Sequence, residues 1–387
     1  MRRKEIFLIV ILIIFGLLYH LYKTGEEDVF ISCSNGSRNL LDKEYPHEFA
    51  GIKSVYDSIR VLEIDNPAGS IQIGRSSGSQ VEVKWIKQIY HRNENRAAGI
   101  REEIDIHPRQ INGRLKFEAI SRGAFPYRRA RIFFDVLIPE GVELQLMNRY
   151  GDIDIEKTEQ NVTIDNKYGD ILARDIGAEM HIRHGYGQVA IERIKGSLIV
   201  VSKYSTVKIS DAQALEIEGR HTRMQLFGIK QGISLTNTHD SIELSDVKGD
   251  VDLNARHCRI KLLNIDSRYL IVKNSYNNVN IENLWAREAD FVLSHGNLNI
   301  EFFEVEDQVN IRGKHSDILL NYPQNLNPSF NINLTYGKII NTTSLQLEGV
   351  KGKYRQEFAS QAGKPEIIIN NKYGNVKLMN SGNVPVE

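Results

Sequence analysis

Cysteine is nearly absent. The 387-residue chain has two, Cys33 and Cys258, too few for a disulfide framework, and both are expected as free thiols. Charge of one sign is missing as well: 49 basic side chains balance 49 acidic ones. Without a basic surface, nucleic acid is not an expected partner. No nucleophile–base or acid–base set stands out, so the chain is not expected to be an enzyme, and no catalytic, cofactor or metal residue is assigned. One long uncharged run stands apart, Ile6 to Tyr22 after Met1-Arg-Arg-Lys4. It is at the short end of a membrane span, and the bulky Tyr19-His-Leu-Tyr-Lys23 that follows offers no cleavage site. The expectation is an uncleaved transmembrane signal anchor at 6–22. Residues 1–5 would be cytoplasmic, and the rest extracytoplasmic, in the periplasm or at the cell surface. Residues 23–50 are polar, mixed in charge and without periodicity, and read as a tether. Cys33 lies too far past the apolar run to mark a lipoprotein.

What is abundant is a repeat. Asn148-Arg-Tyr-Gly-Asp-Ile153 returns as Asn166-Lys-Tyr-Gly-Asp-Ile171 and again as Asn371-Lys-Tyr-Gly-Asn-Val376. With the aromatic ring as anchor, the series is Tyr150, Tyr168, Tyr186, Tyr204, His221, His239, His257, Tyr276, His295, His315, Tyr336 and Tyr373. Successive gaps are 18, 18, 18, 17, 18, 18, 19, 19, 20, 21 and 37 residues. A fixed period near this length signals a solenoid. Four residues before each ring the side chain is apolar, from Leu146 and Ile164 to Ile369; three after, it is apolar again, from Ile153 to Val376. Polar residues lie between. That is period-2 alternation on both sides of a turn, hence two short strands per lap with one face buried. Glycine after the ring (Gly151, Gly169, Gly187, Gly296, Gly337, Gly374) would supply a positive φ at the corner. Asparagines two before the ring (Asn148, Asn166, Asn237, Asn274, Asn371) share the core phase, and their amides are expected to bond from lap to lap. Laps ~4.8 Å apart would lay ring upon ring, and twelve or thirteen of them would make a rod on the order of 55–65 Å long.

The fold class is therefore all-β: a β-solenoid, parallel β-helix-like, of 12–13 laps. Leu62–Ile73 has the same layout with Ala68 in the ring position, a first lap that departs into an insertion. There Gln80–Tyr90, Leu115–Ser121 and Arg131–Ile138 read as strands, and Asn93–Glu103 as the one helix after the anchor. Residues 51–141 would hold that first lap and a capping insertion, 142–380 the repeats, with 345–364 a degenerate lap or loop, and 381–387 a tail.

His221, His239 and His257 occupy one position on consecutive laps. Tyrosine holds the same position on seven of the twelve laps, and no carboxylate or cysteine recurs beside it, so a packed column of flat rings is expected rather than a metal site. Stacked imidazoles resist charging together, which predicts lowered pKa values and a rod that loosens in mild acid. Asp152, Asp170, Asp240 and Asp317 resemble paired catalytic acids, but Gln188, Thr206, Arg223, Asn278 and Lys338 replace them elsewhere, as suits a turn. Arg128, Arg129 and Arg131 read as charges guarding a strand edge.

The Asn-x-x-Gly-Asp-Ile turns, the Asp65-Asn-Pro-Ala-Gly-Ser-Ile71 lap, the strand–helix–strand insertion and the single apolar N-terminal segment together resemble the bacterial DUF4097/DUF2807 family of putative adhesins over roughly 52–380. The resemblance implies an envelope-associated β-solenoid. Tyr or His at the corner departs from the small polar residue the family often carries there. The expected role is a non-catalytic adhesin or binding module of the cell envelope, its partners the membrane through 6–22 and a glycan or envelope protein. A polysaccharide-active enzyme on a β-helix scaffold and a bactofilin-like self-assembling scaffold are the alternatives.

Overall fold

Apolar side chains at every second position can be buried together only if successive laps stack in register, and they do. The structure, a computed structural model, describes residues 45–381 apart from 52, 124, 361 and 362. The chain divides into Met1–Glu44 and Tyr45–Glu387, and the stacked laps belong to the second unit. The strand Val162–Tyr168 pairs in parallel with Glu143–Tyr150 on one side and with Met180–Lys203 on the other, so that Leu144, Val162 and Met180 align, as do Leu146, Ile164 and Ile182. Past the corner, Ile153–Thr158 and Ile171–Ile176 continue likewise, with Ile153, Ile171 and Val189 in line. Each aligned set is almost fully buried. A buried Ile, Leu or Val contributes about 1.5–3 kcal/mol relative to an exposed one, so these columns are the main stabilising element.

From Met180 to Lys314 strands run unbroken through the bend opposite the rings, as in Arg223–Lys248 and Asp250–Ser275. A second column of left-handed residues makes that bend: Lys157, Asp175, Arg193, Asp211, Asp246, Asn264, Asn283 and Phe302 have φ between 53° and 60°. Asn and Asp tolerate that conformation best, and the side chains bond along the column. Asn283 Nδ2 donates to Asn264 Oδ1 and Asn264 Nδ2 to Asp246 Oδ1, both at 2.9 Å.

Both ends depart from chain order. The insertion strands Arg114–Ser121 and Ala130–Ile138 form the outermost lap at one end, outside the earlier strands Val61–Asn66 and Ile71–Arg75. The earlier pair is thus enclosed between that lap and Glu143–Thr158. Antiparallel strands cover the outermost lap: Ile104–Ile111 on one arm, and Val81–His91 with Tyr45–Ala50 on the other. The opposite end mirrors this. The last strands, Glu366–Lys372 and Val376–Ser381, slide between Leu298–Pro323 and the earlier Ser329–Asn341. Ser329–Thr335 is covered in turn by the hairpin of Glu348–Lys351 and Arg355–Ala359.

The expected helix is present as Glu94–Glu103, with Asn93 as its N-cap accepting the Arg96 N–H at 3.1 Å. Other expectations are corrected. The segment 345–364 forms the capping hairpin rather than a degenerate lap. The last six residues of the expected tether, Tyr45–Ala50, are a paired strand. The transmembrane component of the expected architecture is withdrawn, and with it the membrane as a partner and the single-pass location. Among the described residues no helix is long and apolar enough to cross a membrane. Glu94–Glu103 has 10 residues, about 15 Å of helix against a ~30 Å hydrocarbon core, and half of them are charged. The assignments to 1–5, 6–22 and Cys33 lie outside the described residues.

A stacked ring column as the candidate functional site

The lap register carries each ring onto the one before it. Tyr150 pairs with Tyr168 and Tyr168 with Tyr186 in the strand alignment. Neighbouring centroids along the column are 4.4–5.2 Å apart with planes inclined by 3–19°. All twelve expected rings are in it, but the order at one end is not the chain order. His315 stacks on Tyr373 and Tyr373 on Tyr336, because the last strands enter between earlier laps. At the other end Ala68 leaves a lap without a ring. Tyr127, reaching over from the outermost lap, packs edge-on against Tyr150 at 5.0 Å and extends the aromatic surface. The sequence reading missed it, since Tyr127 obeys no period.

Two backbone solutions make the corner. At Gly151, Gly169 and Gly187 the glycine turns, with φ of 125–137°. From Tyr204 onward the ring residue itself is left-handed, with φ between 50° and 69°. Ser205, Thr222, Asp240, Cys258 and Asn277 stand where glycine would be, and this substitution pattern was the available signal. Gly296, Gly337 and Gly374 are not positive-φ turns. They are required by closeness, because a Cβ on any of them would strike the backbone carbonyl of the adjacent lap.

The asparagines beneath the rings do not bond amide to amide. They reach the backbone carbonyls of the corner. Asn148 Nδ2 donates to Gly69 O at 3.0 Å and Gly151 O at 2.9 Å. Asn237 donates to Thr222 O at 2.7 Å, Asn274 to Cys258 O at 2.8 Å and Asn371 to Ser316 O at 2.8 Å. A left-handed corner turns carbonyls inward, and a buried carbonyl needs a donor. His184 replaces the asparagine on the third lap, and its burial pushes its pKa down. Cys258 is free and buried, its thiol raised to about 11 by the same desolvation.

The corner carboxylates are structural. Asp152 Oδ1 accepts the Asp170 N–H and Asp170 Oδ1 the Gln188 N–H, both at 2.8 Å. Asn278, Asn297, Asp317 and Asn375 continue the relay to Lys338. Asp240 stands one position earlier, aligned with Cys258, and takes the Ser241 N–H and the Arg223 guanidinium. One oxygen of each of these acids is thus committed to a backbone N–H of the turns. The histidines lie as parallel plates, His221 to His239 at 4.4 Å and His239 to His257 at 4.9 Å. Their nitrogen lone pairs lie in parallel planes and cannot converge on one ion. No cluster among the described residues is suited to a metal. His257 and His315 have lowered pKa values, through desolvation first and then the neighbouring His239 and His295. Arg131 lies over the Tyr90 ring at 5.7 Å, and Arg128 and Arg129 share the turn at the outermost lap.

The column is exposed at its edge. Tyr150, Tyr186, Tyr204, Tyr276, Tyr336 and Tyr373 are 41–53% accessible. Ring faces are taken by neighbouring rings, so the surface offers hydroxyls and imidazole edges. One position before the rings runs a second outward column, which sequence reasoning also missed. In stacking order it reads Arg149, Lys167, Gly185, Lys203, Arg220, Thr238, Arg256, Ser275, Ser294, Lys314, Lys372 and Thr335. No acid occurs in it. Lys167 and Lys372 lean over their own laps' rings, 5.4 Å and 4.9 Å from the centroids.

The family model described as Toastrack DUF4097 matches residues 59–379. Among curated proteins none matches the chain. Among solved structures, a putative cell adhesion protein from Clostridium sporogenes ATCC 15579 is 8% identical, with a TM-score of 0.19 over 87% of this chain and 100% of that one. A putative adhesin from Bacteroides fragilis NCTC 9343 is 11% identical, with a TM-score of 0.23 over 87% of this chain and 97% of that one. Likenesses at that level carry no argument about function.

Proposed function

We propose, for a chain that belongs to the DUF4097 (Toastrack) family, a non-catalytic, adhesin-like role outside the cytoplasm in which the edge of the ring column is the binding face. The observation that carries this is the column itself. Twelve aromatic side chains occupy one exposed corner, yet none of the ladder tyrosines uses its hydroxyl in a hydrogen bond among the described residues. Packing alone is satisfied by a smaller residue, as the buried Ala68 shows. Contacts repeated at every lap add through multivalency, so individually weak bonds suffice. The end-to-end polymer has less support, because antiparallel strands cover the terminal laps.

The test is binding of the full chain to purified bacterial envelope fragments, comparing it with Tyr186→Phe/Tyr204→Phe/Tyr276→Phe. These changes keep the stacked rings and remove outward hydroxyls. Loss of binding with an unchanged circular dichroism spectrum is expected. Unchanged binding, with loss instead on altering the opposite bend, refutes the assignment of the face.

A further inference from the structure

Several cations elsewhere on the solenoid find acids. Arg193 meets Asp175 at 2.6 Å, Arg312 meets Asp290 at 2.7 Å, and Arg287 and Lys364 share Asp307 at 2.8 Å. Others, such as Arg183 and Lys273, form no ion pair among the described residues, but they share their column with acids. The column beside the rings is a file of such cations with no acid in it. All seven of its cations are exposed, and none forms an ion pair among the described residues. Of the seven, only the Arg149 side chain donates a hydrogen bond among the described residues, to the Tyr127 hydroxyl at 2.8 Å. The next column outward carries Asp165 and Glu218 against Arg183, Lys273 and Arg312, so it does not neutralise the first. Across the rings, Asp152, Asp170 and Asp317 already accept backbone N–H groups.

The cations are also ordered. Counting laps from Tyr150, they stand at the first and second, fourth and fifth, seventh, and tenth and eleventh. Glycine, serine or threonine fills the intervening positions, small enough to leave the line open. The pattern repeats every three laps, about 14 Å at the inter-strand spacing.

We infer that this line of unpaired cations, together with the ring edge beside it, binds a single extended chain of a carboxylate-bearing polysaccharide. The inference rests on the ring edge being the binding face and names the ligand class for it. A single file of positive charge fits a linear polyanion lying along the stack. A membrane surface would call for cations spread over a plane. Single-stranded nucleic acid binds by stacking its bases on open aromatic faces, and here those faces are closed by neighbouring rings. Free tyrosine hydroxyls, donors and acceptors at once, match sugar hydroxyls between the charged groups.

The experiment measures binding of the full chain to immobilised polygalacturonate at low and high salt. Fully methyl-esterified polygalacturonate, polyphosphate, single-stranded DNA and anionic lipid vesicles are the comparison probes. The variant Lys167→Gln/Lys203→Gln/Arg220→Gln/Arg256→Gln is set against Lys208→Gln/Lys261→Gln on the other arm. Expected are binding that weakens with salt, at least tenfold weaker binding by the esterified polymer, and at least tenfold loss in the fourfold variant but not the control. No binding at low salt, equal binding of the ester, or an unaffected fourfold variant overturns the inference. Tighter binding of polyphosphate, DNA or vesicles than of polygalacturonate overturns the choice of ligand. If the phenylalanine variants lose envelope binding while the charge variant leaves polygalacturonate binding unchanged, this inference falls and the binding face stands. If the phenylalanine variants bind envelope normally, the face itself is wrong.

Discussion

Removing a ring from the column should have opposite sequels at two places, depending on which backbone turn carries it. Tyr168 stacks on Tyr150 and Tyr186, each at 5.0 Å and nearly parallel, while the adjacent Gly169 makes the turn at φ 125°. Each aromatic pair contributes about 0.5–1.5 kcal/mol beyond area burial, so Tyr168→Ala should cost about 1–3 kcal/mol. Tyr168→Gly should cost roughly 0.5–1 kcal/mol more, through the entropy of an added glycine in a strand. Tyr276 also loses two stacks, to His257 at 4.5 Å and His295 at 5.1 Å, but it is itself left-handed at φ 64°. Glycine there relieves about 1–2 kcal/mol of steric cost that alanine retains, so Tyr276→Gly should be more stable than Tyr276→Ala. The assay is the urea midpoint of the four single variants, with the m-value checked for constancy. A double-mutant cycle should also return about 0.5–1.5 kcal/mol of coupling for Tyr168 with Tyr186. It should return close to none for Tyr150 with Tyr186, which Tyr168 separates. If alanine and glycine rank the same way at both positions, the two-turn account is wrong.

Acid should loosen the stack through its neutral histidines. His184, His257 and His315 all have pKa values below 6.5 in the fold. Between that value and the folded one the unfolded chain binds more protons, so stability falls as pH drops through the window; His184→Asn, the side chain of neighbouring laps, should reduce the fall in urea midpoint between pH 8 and pH 5. Gly169→Ala should destabilise by about 1–3 kcal/mol or more, because its Cβ meets the Gly151 carbonyl at a φ of 125°. Gly99→Ala, in the exposed helix with nothing near its Cβ, should instead stabilise by about 0.5–1 kcal/mol, both read from thermal or urea melts. Deleting 364–387 should strip hydrogen-exchange protection from His315, Ile318 and Ser329 together, since their N–H groups donate to the carbonyls of Lys372, Asn375 and Pro365 in the missing lap.

The lap was legible because burial alternates with period 2 and turn residues recur at 17–21 residues. Column membership followed for all twelve rings. Spatial order did not, because the apolar pattern of Ile367, Ile369 and Val376 fits any neighbouring lap; only the length of the 342–365 connection hints that the chain overshoots and returns. The same limit hid the use of 114–138 as an outer lap. The positive-φ rings from Tyr204 onward could have been inferred from laps that keep the turn without glycine. Expecting amide-to-amide bonds under the rings failed because a left-handed corner presents carbonyls that must be answered first. The cation column is invisible in the charge balance of the whole chain, where it cancels, and emerges only lap by lap.

The enclosed first and last laps have a consequence for how the protein is made and unmade. A repeat array normally adds modules at its open end and frays from there, but here the laps that are first and last in sequence are not the outermost ones. Val61–Arg75 and Glu366–Ser381 are held like pages inside a closed book. A nascent chain cannot finish the stack in the order it emerges, since the last strands must enter a slot whose two walls were synthesised earlier. Once they are in, pulling out Glu366–Lys372 must break two rows of backbone hydrogen bonds where an outermost strand would offer one.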